Sequence, residues 1–122
     1  MISAVFGEGK PAELSPDLAE LNEFFDSLPA ALDLERAKNV SGSIRFDVDG
    51  CDPWHVSLLG GRVTVTRKRA RADTVVEAAD PHLLLRLLRG EQNPRTAMLQ
   101  GLMRIVGDRA LPYELTRLLR RD

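Results

Sequence analysis

The side chains that could do chemistry are few, and their types limit what that chemistry could be. His55, His82 and Cys51 are the histidines and the cysteine of the chain. A metal centre needs His, Cys and carboxylates gathered at ligand spacing. Here Cys51 falls in a turn, His55 on the polar side of an alternating segment and His82 in the first turn of a helix. Solvated side chains are the expectation for both histidines, and neither a metal site nor a cofactor is expected. Asp49 and Asp52 flank Cys51 and would hold its thiol pKa up, which disfavours a nucleophilic thiolate. The sequence has no Ser-His-Asp order, P-loop or G-x-G-x-x-G. Tyr113 and Glu114 could serve as a lone polar group in an apolar pocket, isomerising or cyclising a hydrophobic substrate. Nothing positive supports catalysis, so a non-catalytic protein is expected. The basic run Arg67, Lys68, Arg69 and Arg71 reads either as a solvated hairpin tip or as a contact for anionic headgroups and phosphates. Each such charge contributes about 1 kcal/mol near an anionic surface.

The elements that must position these residues are marked by caps and by changes of period. Ser15-Pro16 is an N-cap followed by proline at the first helical position, with Asp17 and Glu20 near the positive end of the helix. Leu21, Phe24, Phe25 and Leu28 then form an apolar helical stripe that ends near Pro29, and "AALDLERAKN" predicts a short further turn. From residue 43 the period becomes two. Ile44, Phe46 and Val48 alternate with charged residues, Trp54, Val56 and Leu58 with His55 and Ser57, and Val63 and Val65 with threonines. Short turns at Gly50 to Pro53 and Gly60-Gly61 suit antiparallel neighbours with one buried face. "ADTVVEA" predicts a fourth strand after the basic turn. Asp80-Pro81 opens a leucine-rich helix closing at Gly90, and Asn93-Pro94 opens another closing at Gly101. "LMRIVG" predicts a fifth strand, and Asp108 caps a last helix with Leu111, Leu115, Leu118 and Leu119 on one face. The order α-β-β-β-β-α-α-β-α predicts an α+β layer, a five-stranded mainly antiparallel sheet with helices on one face.

Composition agrees with one domain. At 122 residues, 43% hydrophobic and 29% charged with net charge -1, the chain is neither broadly disordered nor a bulk binder of nucleic acid. One Trp and one Tyr leave little for base stacking. A single cysteine demands no oxidising compartment. No apolar run nears the ~20 residues that span a bilayer, and no leader precedes the first helix, so a cytoplasmic location is expected. Fourteen of the seventeen basic residues are arginine, as in GC-rich bacteria. Residues 1–13 lack periodicity and read as a flexible arm, with Val5 and Phe6 as its only anchors.

The punctuation from 80 to 108 carries a family resemblance. Leu87-Leu88-Arg89-Gly90, then Asn93-Pro94, then Gly101 through Ile105 to Gly107-Asp108 follow the strands "SGSIRFDVDG" and "WHVSLLGGRVTV". In this order they resemble the sterol carrier protein type 2 domain over residues 14–122. The residues before Leu14 are outside that pattern, and the chain has no small-basic-leucine tail of the peroxisomal kind. The resemblance implies an apolar tunnel between sheet and helices, binding a fatty acid, an acyl-CoA or a sterol- or polyketide-like lipid and exchanging it with membranes. Expected tunnel-lining residues are Phe24, Phe25, Leu28, Trp54, Leu84, Leu88, Met98, Leu102, Met103, Leu111, Leu115 and Leu118. Arg67, Lys68, Arg69 and Arg71 are the expected headgroup or membrane contact. The same leucines and methionines would equally fill a solid core. A hydrophobic ligand, transient contact with anionic membranes, no nucleic acid, and a monomer or homodimer are the expected partners and state. The competing readings are a small cavity enzyme and an oligomerisation or accessory module for a partner enzyme.

Overall fold

The computed structural model describes residues 16–119. The expected arm at 1–13, the cap at Ser15 and the last three residues lie outside them. The elements are α1 (Pro16–Asp26), α2 (Leu28–Ala31), α3 (Leu34–Ala37), β1 (Gly42–Val48), β2 (Trp54–Leu59), β3 (Arg62–Thr66), β4 (Thr74–Ala78), α4 (Pro81–Leu88), α5 (Pro94–Leu99), β5 (Met103–Gly107) and α6 (Ala110–Arg117). The expected class and order hold, with "AALDLERAKN" split into α2 and α3. Asp33 causes the second start: its side chain accepts the backbone N–H groups of Glu35 and Arg36 and satisfies donors that a helix start leaves orphaned.

The strands form one open sheet in the order β3-β2-β1-β4-β5. β1 pairs antiparallel with β2, β2 with β3, and β4 with β5, whereas β1 and β4 run parallel, Phe46 opposite Val76. Parallel neighbours cannot be joined by a tight turn. The connection from β1 to β4 accordingly contains the whole β2–β3 hairpin. It follows that residues 67–73 are not a hairpin tip, as the sequence suggested, but a strap from the sheet edge back to its centre. Periodicity reveals strands without revealing which of them are neighbours, hence the misreading.

Alternation within each strand divides the sheet into two faces. Ile44, Phe46, Val48, Trp54, Val56, Leu58, Val76 and Ala78 are buried under the helices, with Met103 and Ile105 from β5. Ser43, Arg45, Asp47, His55, Ser57 and Glu77 look the other way. The strap lies on that second face: Arg45 Nη1 donates to the Ala70 carbonyl at 3.2 Å, and His55 Nε2 lies 2.9 Å from the Arg71 carbonyl. His55 is therefore half-buried and bonded, not freely solvated as expected. The Asp73 carboxylate takes the Ser43 backbone N–H at 2.9 Å and ends the strap. Arg45 also pairs with Asp47 at 2.8 Å. That hydrogen bond outweighs desolvation and raises the arginine pKa, so the guanidinium stays charged.

The core has an aromatic centre. Phe25 of α1 stacks on Trp54 at 4.8 Å between centroids and meets Phe46 at 5.2 Å. Leu18 and Leu21 of α1 pack with Leu83, Leu84, Leu85 and Leu88 of α4, and Leu111, Leu115 and Leu118 close the layer near α6. Burying each of these large apolar side chains contributes about 1.5–3 kcal/mol. The Glu20–Arg89 ion pair and a contact of His82 Nδ1 with the Asp17 carboxylate at 3.4 Å link α1 to the α4 side.

A close approach fixes the junction of β5 and α6. Gly107 has φ 99°, and a Cβ there would stand 2.2 Å from the Asp73 carbonyl oxygen. Only glycine permits both the backbone conformation and the contact. Beside it the fully buried Thr74 hydroxyl donates to the Asp108 carbonyl at 2.7 Å. The Asp108 carboxylate accepts from Ala110 N at 2.9 Å, so the expected capping role is met.

Candidate functional site

The helices do not fill the space above the β1-β4-β5 side of the sheet. A cavity of about 880 Å³ lies there. Phe46, Val76, Met103 and Ile105 of the sheet supply its floor, and Phe24, Leu84, Leu87, Leu88, Pro112, Thr116 and Leu119 line it from the helical side. Arg89, Gly90, Glu91, Asn93 and Tyr113 line it as well and are exposed, so they form a polar rim open to solvent. An apolar floor with a few exposed polar groups in the lining, of this volume, is the usual character of a small-molecule site.

Local chemistry explains why the cavity persists. Asp80 accepts the Leu83 N–H at 2.8 Å and starts α4 with proline at its first position. Asn93 accepts the N–H groups of Arg95 at 2.8 Å and Thr96 at 3.3 Å and starts α5. At the far end of α5, Gly101 adopts φ 75° while Leu102 N donates to the Ala97 carbonyl at 2.9 Å and Gly101 N to that of Met98 at 3.1 Å. That Schellman closure turns the chain from a helix of six residues straight into β5. The stretch thus provides a short wall between the cavity and the outer edge of the sheet. On its other side is a second cavity of about 550 Å³, whose lining includes Met98, Leu102, Arg104 and Arg109 and which shares Met103 and Ile105 with the first.

The expected lining residues separate into three groups. Phe24, Leu84, Leu88 and Met103 border the larger cavity. Met98 and Leu102 border the smaller one, and Leu102 is 40% exposed. Phe25, Leu28, Trp54, Leu111, Leu115 and Leu118 are fully packed core side chains that border neither. Alternation and helical stripes identify the inward face, but not whether an inward side chain meets another side chain or a void. Sequence reasoning passed over Phe46, Val76, Ile105, Pro112 and Thr116 as wall residues, while Tyr113, considered there as a polar group of an apolar pocket, does line it. The inward alternation of the first three was visible in the sequence; the facing void was not.

The basic residues occupy different environments. Arg67 is held in place: its Nη1 donates to Asn22 Oδ1 at 2.9 Å, Nη2 to the Asp52 carbonyl at 2.8 Å and Nε to the Pro53 carbonyl at 3.2 Å, and the guanidinium lies 4.2 Å from the Trp54 ring centroid. Arg69 reaches Asp47 at 3.5 Å, while Lys68 and Arg71 are exposed. Ala70 and Arg71 pass over the face of Arg45 and His55, opposite the face that floors the cavity. His82 is exposed beside Asp17, and Cys51 is half-buried in the turn after β1. Among the described residues no three His, Cys, Asp or Glu side chains are grouped to hold a metal ion, and no helix is long and apolar enough to cross a membrane.

Comparison with known proteins places this geometry. The family model described as the SCP-2 sterol transfer family matches residues 21–120. "Hydroxysteroid dehydrogenase-like protein 2" of Xenopus tropicalis is 27% identical over 121 residues, 96% of this chain and 29% of that protein. The chain thus spans under a third of the length of the curated relatives it matches. Among solved structures, the sec-alkylsulfatase Pisa1 from Pseudomonas sp. superposes with TM-score 0.71 at 24% identity, covering 89% of this chain and 17% of that one. Sterol carrier protein 2 like 2 from Aedes aegypti superposes with TM-score 0.63 at 20% identity, covering 84% of this chain and 96% of that one. At these identities the structural likenesses establish the fold.

Proposed function

The chain belongs to the SCP-2 sterol transfer family, and from that membership we propose that it holds one hydrophobic ligand, without transforming it, in the cavity between sheet and helices. The observation that carries the reading is the cavity of about 880 Å³ with an apolar floor and exposed polar residues along its rim. Its rim is open to solvent, so the space is not a sealed void. It therefore contains water or a guest, and its leucine, phenylalanine and methionine wall favours an apolar guest. Met103 supports tolerance of varied shapes, since a thioether repacks readily. Candidate guests are a fatty acyl chain or a sterol- or polyketide-like lipid, with the polar end at the rim near Arg89 and Tyr113. The phosphates of an acyl-CoA held at that rim would not meet Ala70 and Arg71, which lie across the sheet.

The test is native mass spectrometry of the protein as purified, with extraction of what travels with it, followed by calorimetric titration of C12 to C18 alkyl ligands into the stripped protein. A stoichiometric lipid, or saturable binding, is expected. A clean apo protein that takes up none of the series would sink the reading. A second reading has its own support: the larger relatives carry this fold as a minor part of their length, which suits an accessory module attached to or docked on an enzyme. A ligand-free homodimer in the same spectra would favour it, and turnover of a supplied lipid would favour a cavity enzyme.

A further inference from the structure

We infer that the outer edge formed by α5 and β5, and not the basic strap, is the surface that docks on an anionic lipid bilayer, with Leu99 and Leu102 entering the headgroup layer. Leu99 is 84% exposed, more than any other large apolar side chain described, and Leu102 is 40% exposed three residues later. The Schellman closure holds both at one corner of the fold, on either side of Gly101. Arg95 lies one helical turn before Leu99 and so on the same side of α5. Arg104 and Arg109 border the smaller cavity together with Leu102. Of the acidic groups nearby, Glu77 pairs with Arg104 at 2.8 Å, while Asp80 and Asp108 turn their carboxylates to the backbone N–H groups that start α4 and α6. Arg95 and Arg109 have no side-chain partner among the described residues. Exposed leucines ringed by arginines match a bilayer whose surface is negative and whose depth is apolar. Nucleic acid would gain nothing from the leucines, and a second copy of the chain, which could bury them too, is told apart by the dimer arm of the experiment below.

Position strengthens the case. The same short wall separates this corner from the larger cavity, because Met103 and Ile105 border both cavities. A bilayer meeting the corner would lie against the smaller cavity, which adjoins the larger one through those two side chains. The strap has no such relation, since Ala70 and Arg71 lie over the opposite face of the sheet. The inference rests on the ligand-carrying reading for its purpose, whereas bilayer contact is measurable separately.

Flotation with vesicles of phosphatidylcholine, with and without phosphatidylglycerol, tests it on the full chain. Wild type is expected to float with the anionic vesicles. Leu99→Ser with Leu102→Ser should abolish this, and Arg95→Gln with Arg109→Gln should weaken it by about fivefold per charge. Lys68→Gln with Arg71→Gln should leave it unchanged. All three variants should keep the calorimetric titration of alkyl ligands, which separates loss of docking from loss of the cavity. No flotation of wild type overturns the inference, as does normal flotation of the leucine variant or loss confined to the strap variant. A concentration-dependent dimer that the leucine changes dissolve, without flotation of wild type, also overturns it and makes the corner an interface between copies. Flotation without any ligand uptake would leave docking in place and remove the carrier reading.

Discussion

Arg67 holds Asn22, Asp52 and Pro53 through three guanidinium nitrogens while covering the Trp54 ring, so it ties α1, the β1–β2 turn and the strap to one aromatic. Its neighbours in the basic run do far less. Arg67→Gln is therefore expected to lower stability by about 1–2 kcal/mol through the lost charged hydrogen bonds and ring contact. Lys68→Gln and Arg71→Gln should stay within about 0.5 kcal/mol of wild type. Urea midpoints at constant slope measure the difference, and equal midpoints for all three variants would refute the structural role. Trp54 itself is 1% exposed, stacked on Phe25 and outside the cavity wall. Its emission should report unfolding and change little as an alkyl ligand is titrated, whereas a Tyr113→Trp variant, with its reporter at the rim, should respond. Emission from Trp54 that tracks ligand while the rim reporter is silent would mean that the guest sits elsewhere. The sequence could count these side chains and give their face, but three interactions of Arg67 reach 14 to 45 positions away, beyond any local pattern.

At the scale of elements, wall and core side chains of one type should differ in what their loss costs. Leu115 is 1% exposed and borders neither cavity, so Leu115→Ala should cost the roughly 2–5 kcal/mol of a filled-core truncation. Leu88 and Met103 border the larger cavity; their truncation enlarges an existing space and should fall at or below the bottom of that range. Thermal melting of Leu115→Ala, Leu88→Ala and Met103→Ala decides it, and equal losses would mean that the cavity is closed in solution. Met103→Ala should in addition shift the preferred chain length upward, because that side chain stands between the two cavities. The β5–α6 junction offers a contrasting case. Gly107→Ala should cost on the order of 2 kcal/mol or more, combining a left-handed φ of 99° with a 2.2 Å approach to the Asp73 carbonyl. An alanine variant as stable as wild type would show that the strap yields there. Caps and periods made most elements readable beforehand: Asp80-Pro81, Asn93-Pro94 and Asp108 each start the helix they were expected to start. The strand neighbours of β4 were not readable, because a parallel pairing leaves no turn of its own in the sequence.

For the whole molecule, a cavity comparable to the guest it would hold couples folding to occupancy. A ligand that binds only the folded chain adds RT ln(1 + [L]/Kd), about 2.7 kcal/mol at a hundredfold excess over Kd. Stripping the protein of lipid should therefore lower its melting temperature by several degrees, and returning an alkyl ligand should restore it in a concentration-dependent way. A melting temperature indifferent to both treatments would indicate a core that needs no guest. What the sequence determined by itself was the set of elements, the face each turns inward, the caps that start and stop them, and the family motif from Leu87 to Asp108, all of which are local in the chain. Tertiary structure alone decided that β4 lies parallel to β1, that the basic segment crosses the polar face, and which inward residues border a void. The reason is physical: capping and alternation are set by interactions within a few residues, whereas an unfilled volume is a property of side chains from eight elements that meet only once the chain has closed.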